Sequence, residues 1–397
     1  MRYPIGIQSF ETIRRDGYVY VDKTDLVYEL AQGHVYFLSR PRRFGKSLLV
    51  STLKAYFQGR RDLFEGLKIM DLEQEWTKYP VVSFDFNLGD KRSPVGLRDY
   101  LLSEIGKAEE TYAIAPIVSP ENGEPSLDVT LRFNSLLLKL HEKTGQRVVV
   151  LIDEYDKPLL DLLGTDDPND EQQLVANREL LKSFFSVFKA TDDSLRFVIL
   201  TGITKFSQIS MFSGFNQPDD ISFEESYEAL CGITQAELEA VFSESIGELS
   251  AKLQVSNEEA LALLKQNYDG YHFSKRMTDV YNPFSVINAL KKCDLEDYWF
   301  TSGTPSYLVR LLGNTPEVIM DYSSKEYALD EFVNYKADSA RPLPMIFQAG
   351  YLTIKSYEPE FRTYRLDYPN LEVRRGLITL LANDYLQLDG HRGGVED

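Results

Sequence analysis

The chain is poor in several residue types, and each shortage narrows its function. Only Cys231 and Cys293 are present among 397 residues. Two cysteines this far apart make no disulfide framework and fit a reducing compartment, so a cytoplasmic location is expected. Neither has a histidine or second cysteine at metal-ligand spacing, which argues against a zinc site. Histidines number four. His272 has no acid–base partner in the pattern and reads as a structural hydrogen-bonder. No apolar run approaches the roughly 20 residues that a membrane helix requires. Met1–Gly6 carries no apolar leader of a secretory signal, so no membrane partner is expected. Basic charge is also short: 43 Lys and Arg stand against 61 Asp and Glu, a net charge of −18. Such a surface repels a phosphate backbone, so nucleic acid is possible but not a favoured partner.

The basic residues that exist are unevenly placed. Residues 1–61 hold eleven Lys/Arg and five Asp/Glu, while the remainder holds 32 and 56. At the centre of the basic stretch lies Arg40-Pro41-Arg42-Arg43-Phe44-Gly45-Lys46-Ser47. The apolar run Val35–Ser39 before it reads as a buried strand. Leu48–Phe57 after it carries apolar residues at helical spacing and stops at Gly59. Strand, loop ending in Gly-Lys-Ser, helix is the context of a phosphate-binding loop. Backbone N–H groups of Arg42, Arg43, Phe44, Gly45, Lys46, Ser47 and Leu48 would face the anion, with the helix dipole behind them. Lys46 would reach the terminal phosphates and the Ser47 hydroxyl would hold magnesium. Position 40, where the usual pattern has its first glycine, is Arg40.

About a hundred residues on, Arg147–Ile152 runs into Asp153-Glu154-Tyr155-Asp156. An unbroken aliphatic run reads as a central parallel strand covered on both faces. Carboxylates at its end are costly unless paired or on a metal, and strand ends in α/β sheets face the ligand crevice. Asp153 would hold the magnesium, directly or through a water on the ion, and Glu154 would activate water as general base. Asp156 would be a supporting acid or a helix cap before Pro158. Leu195–Leu200 reads as a further buried strand leading to Thr201 and Thr204, either sensors of the terminal phosphate or ordinary turn residues. Lys205 would add positive charge there.

The remaining pattern places a short strand at Tyr18–Val21 and helices over 25–32, 94–113, 128–143 and 175–190. A strand is expected over 80–86 and a turn-rich boundary at 213–220. Mainly helical patterns follow, over 235–245, 258–267, 284–292, 305–313 and 327–335. A hairpin of 351–355 with 363–366, joined by seven residues, precedes a helix over 371–387 and a loose tail at 390–397.

Taken together, Tyr3-Pro4-Ile5-Gly6, Tyr20–Thr24, Arg40–Ser47, Ile152–Asp156, Tyr268-Asp269-Gly270-Tyr271 and Tyr281-Asn282-Pro283-Phe284-Ser285 resemble the bacterial AAA-ATPase-like family. The resemblance extends to about residue 385 and includes Arg40, which that family's loop usually carries. It implies an α/β P-loop NTPase domain over 1–217, AAA-like, with a parallel sheet and helices on both faces. A helical lid over 218–300 and a winged-helix-like α+β segment over 301–397 would follow. Members often continue into a PD-(D/E)XK nuclease-like domain. No convincing D…(D/E)-x-K arrangement follows a strand in residues 340–397, so that activity is not expected here. The expected ligands are ATP and Mg2+, and the expected activity is ATP hydrolysis. Two alternatives stay open: a nucleotide-gated switch with little hydrolysis, and a DNA-processing module reading through Arg374 and Arg375. Arg42 and Arg43 would serve the phosphates, or a partner subunit as an arginine finger, or stand as solvated charges on a loop, and self-association or a partner protein is compatible with each.

Overall fold

The structure is a computed structural model that describes residues 1–89, 91–163, 165, 167–206, 218–302, 322, 325–334 and 342–379. Strands β1 (Val35–Ser39), β2 (Val81–Asp85), β3 (Val148–Asp153), β4 (Leu195–Gly202) and β5 (Asp219–Asp220) form one sheet in the order β2-β3-β4-β1-β5. Every neighbouring pair is parallel. The register shows how the faces are covered. Phe84 lies beside Ile152, and Phe197 beside Val149. Positions 149 and 152 point to opposite faces, because side chains alternate along a strand. Phe84 meets Phe133 and Phe184, from the helices Val129–Thr144 and Pro168–Ala190, at ring separations of 5.4 and 5.1 Å. Phe197 meets Phe57, from the helix Lys46–Phe57, at 4.9 Å. With helices on both sides, β3 is buried along its length, and so it can be aliphatic at every position.

Parallel strands end on one edge of the sheet. The Ser39 end of β1 and the Asp153 end of β3 are separated there only by the Thr201–Gly202 end of β4. Local chemistry sets the helix starts. Ser93 accepts from Gly96 N ahead of Pro94, and Asp128 accepts from Leu131 N. Reciprocal capping boxes open Gln235–Leu253 from Thr234 and Asn257–Tyr268 from Ser256, each satisfying two otherwise orphaned donors.

Beyond the sheet, β6 (Ile233–Thr234) pairs with β7 (Val280–Tyr281). The helices Gln235–Leu253, Asn257–Tyr268 and Pro283–Lys292 enclose their own apolar cluster around Leu238, Phe242 and Tyr281. Strands β8 (Glu326–Ala328), β9 (Thr353–Glu358) and β10 (Thr363–Asp367) form an antiparallel sheet in the order β8-β10-β9. Its buried residues, with Leu343–Phe347 and Val373, join the same core as the five-stranded sheet.

Several expectations are corrected. Tyr18–Val21 is not a strand: the Tyr18 N–H pairs with Ile13 O at 3.0 Å and the Val19 N–H with Arg2 O at 2.9 Å, without a ladder. Its apolar residues serve packing instead, Tyr20 on Phe10 and Val19 and Val21 on the helical cluster, and aromatic and β-branched residues suit such half-buried surfaces as well as sheets. The helix expected from 175 starts at Pro168 behind the Asp167 cap, since its first turns are polar and hide the period. The helix expected to end at 245 continues to Leu253 through a bend at Phe242. Residues 326–328 form a strand before the short helix Leu329–Val333. The hairpin strands run longer than expected, leaving residues 359–362 as the connection. The helix expected at 305–313, the tail at 390–397, and most of the 213–220 boundary lie outside the described residues. Among the described residues, no helix is long and apolar enough to cross a membrane.

Candidate functional site

The loop between β1 and the helix Lys46–Phe57 turns on two positive-φ residues, Arg43 at 67° and Gly45 at 93°. Gly45 stands at the helix N-cap, and a Cβ there would meet nothing within 4 Å, so the backbone is open in front of it. This places the unpaired first-turn N–H groups at an accessible face. A cavity of about 550 Å³ lies against the loop, within the ordinary range for small-molecule sites. Arg42, Arg43, Gly45, Lys46, Ser47 and Leu48 form one wall. Asp85, Asn87, Glu154 and Lys157, at and just beyond the ends of β2 and β3, form another. Residues 4–8 close one side, while Pro283, Phe284, Asn288, Trp299 and Tyr351 close the far side.

The sheet brings the two halves of the sequence signature together. Asp153, at the end of β3, is 5 % exposed and interacts with the Ser47 hydroxyl, and it accepts from Thr201 Oγ1 at 2.5 Å. Burial raises its pKa, against the Ser47 and Thr201 hydrogen bonds and the Lys46 charge. Glu154 reaches the cavity from a left-handed backbone, φ 52°. Such a conformation is uncommon for a residue with a side chain and concentrates at functional sites. The Lys46 ammonium donates to Arg40 O at 2.9 Å and Pro41 O at 3.0 Å. A hydroxyl beside a carboxylate is an oxygen donor set of the kind magnesium takes, so Ser47 and Asp153 fit that ion.

Other expected residues sit behind the cavity wall. Phe44 is buried and packs edge-on against Tyr271 and Phe273 at 4.8 and 5.4 Å. It lines a second, apolar recess of about 100 Å³ that shares Pro4, Gly45, Leu48, Pro283 and Ile287 with the larger cavity. Thr201 and Thr204 are fully buried and do not line the cavity. The Thr204 hydroxyl and N–H both donate to Asp156 Oδ2, at 2.9 and 2.6 Å, and Ile203 N donates to the same oxygen at 2.9 Å. Asp156 therefore ties the end of β3 to the end of β4 and caps no helix with its side chain. Burial pushes its carboxyl up to about 6. Lys205 pairs with Asp220 rather than facing the cavity. His272 is structural, its ring nitrogens facing Ile354 O at 2.6 Å and Asp279 Oδ1 at 2.7 Å.

Arg40 has a role the motif does not reveal. It is 1 % exposed. Nη1 donates to Ser39 O at 2.9 Å and Ser222 O at 2.7 Å, and Nη2 donates to Tyr227 O at 3.1 Å. The guanidinium lies 4.1 Å from the Phe273 ring centre, a cation–π contact strengthened by exclusion of water. Burial lowers its pKa to about 10. The side chain at position 40 is thus a pin beneath the loop, and its φ is not positive, so the backbone does not ask for glycine there. Trp299, Asn288 and Tyr351 in the far wall also escaped the sequence reading. The available signal was indirect: Pro283 and Phe284 belong to the aromatic, turn-rich stretch 280–285, and Trp299 is one of two tryptophans.

The family model described as Predicted AAA-ATPase matches residues 4–212. The chain belongs to the AAA-ATPase-like family. An uncharacterized protein of the vnfD 5' region of Azotobacter chroococcum mcd 1 is 38% identical over 395 residues, covering 97% of this chain and 70% of that relative. The similarity to that relative runs well past residue 212, so it takes in the far wall of the cavity as well as the AAA-ATPase-like region.

Proposed function

We propose that the protein is a magnesium-dependent ATPase. The observation that carries this reading is the convergence of Lys46, Ser47 and Glu154 on one cavity, with Asp153 joined to Ser47 behind it. Lys46 would leave the Arg40 and Pro41 carbonyls for the terminal phosphates. Arg42 and Arg43 line the chain's own cavity, which favours a role on the β- and γ-phosphates over one on a neighbouring subunit. Ser47 and Asp153 would hold Mg2+, which neutralises phosphate charge when bound. Glu154 takes a proton from the attacking water as its oxygen bonds to the terminal phosphorus and the bond to the leaving diphosphate breaks. Thr201 would act through Asp153, and Thr204 through Asp156, as residues that report the state of the phosphate end. The apolar recess beside Leu48 and Ile287 would take the base. Residues 218–300 would act as the lid and residues 301–397 as the winged-helix-like segment of a cytoplasmic protein.

A nucleotide-gated switch is the second reading, favoured by the far wall, which comes from residues 283–302 and from Ala349 and Tyr351. Reading of DNA through Arg374 and Arg375 is not favoured, because the net charge is −18 and Arg375 is paired with Asp297 at 2.6 Å, which leaves the exposed Arg374. The test is steady-state ATP hydrolysis by wild type, Lys46→Ala and Glu154→Gln, with binding measured in parallel. The ATPase reading expects turnover lost in both and binding retained in Glu154→Gln. Binding without turnover in wild type selects the switch, and absence of binding sinks both.

A further inference from the structure

Every residue from Arg40 to Phe44 is fastened to a part of the chain beyond residue 220. Arg40 donates to Ser222 O and Tyr227 O. Gly350 sits so close to Pro41 that a Cβ on it would fall 2.7 Å from Pro41 Cβ. Arg43 lies 5.1 Å from the Phe284 ring centre, and Phe44 packs on Tyr271 and Phe273. The contact at Arg42 is the one that is directional and also borders the cavity: Trp299 Nε1 donates to Arg42 O at 3.1 Å.

A phosphate loop must present N–H groups to an anion and keep its carbonyl oxygens from opposing it, since an oxygen facing a phosphate is repulsive. A donor on the Arg42 carbonyl does this at the loop's centre. Trp299 is itself held: its backbone N–H donates to Glu372 Oε1 at 2.6 Å, and its ring lies 5.1 Å from that of Tyr351. Glu372 is fully buried, so the backbone that carries the indole is anchored in the core, and the Tyr351 ring packs against the indole itself. An indole has one donor and nothing else polar, so the hydrogen bond can be removed while an aromatic ring remains.

We infer that Trp299 is a positioning residue of the phosphate loop, supplied by the C-terminal half, and that its hydrogen bond to Arg42 couples loop occupancy to the docking of that half. The role presupposes that the cavity binds nucleotide.

The test uses the full chain and Mg·ATP. In Trp299→Phe the affinity for Mg·ATP is expected to fall about fivefold, the usual weight of one neutral hydrogen bond, with the unfolding temperature close to wild type. Trp76→Phe leaves Trp299 as the sole indole, and its emission is expected to shift on titration with Mg·ATP. Unchanged affinity in a folded Trp299→Phe overturns the inference. Where Trp299→Phe does not fold, emission from Trp299 decides: a saturable shift upholds the coupling and a flat titration overturns it. Wild type without affinity for Mg·ATP overturns the nucleotide reading and this one together, whereas wild-type binding with a silent Trp299 overturns only this one.

Discussion

Thr201 donates its hydroxyl to Asp153 Oδ1 across 2.5 Å, joining the ends of β4 and β3 beneath the phosphate loop. Both groups are buried, so the carboxylate depends on that donor and on Ser47 for what water would otherwise supply. Thr201→Val keeps the shape and removes the donor. Stability should fall by about 1–3 kcal/mol, the cost of stranding a buried acceptor, measured by denaturant unfolding. Thr201→Ser, which keeps the hydroxyl, should recover most of it.

Restoring the usual glycine at position 40 should harm this protein. Arg40→Gly removes the guanidinium that satisfies Ser222 O and Tyr227 O and empties the space over Phe273. A loss of about 3 kcal/mol is expected from stranding those buried carbonyls and leaving a cavity in the space of the side chain, read as a lower denaturant midpoint. An increase in stability would mean that the pin is dispensable.

Gly202 closes β4 against the acid segment. An added Cβ would lie 2.8 Å from Asp156 Oδ1 and 2.8 Å from Tyr155 Cε1. Tyr155 is fully buried and Asp156 holds three donors, so neither yields cheaply. Gly202→Ala should destabilise by about 1–3 kcal/mol through overpacking, with thermal unfolding as the readout.

Two buried acids give the protein a pH signature. Burial pushes the Glu372 carboxyl up to about 7, against the hydrogen bond from Trp299 N, and raises Asp269 to about 7 as well. In the unfolded chain both lose their protons near pH 4, so between pH 4 and 7 the folded state binds more protons. Their contribution to stability is therefore full below pH 4 and is lost as the pH rises through 7. Chemical unfolding from pH 5 to 8 should show stability falling with pH. Glu372→Gln, which still accepts from Trp299 N, should flatten that slope.

Much of the molecule was legible in the residues alone because its signals are local. The loop Arg40–Ser47, the aliphatic run ending in Asp153-Glu154 and the capping box at Thr234 each depend on neighbours in sequence, and the parallel sheet and the loop helix follow from them. Tyr18–Val21 misled because its aromatic and β-branched residues serve packing without a ladder. What only the tertiary structure decided is who completes the site. Thr201 lies 48 residues from Asp153, and Trp299 lies 257 residues from Arg42; no pattern within a window can join them. Arg40 shows the division most clearly. Sequence established that the loop lacks its first glycine, but only the folded chain, by burying the Arg40 guanidinium against Ser222, Tyr227 and Phe273, determined that the arginine in its place is a structural pin. The reason is physical: a buried charge must be paired or hydrogen-bonded, and for Arg40 the groups that do this are backbone carbonyls and a ring brought from beyond residue 220 by the packed whole.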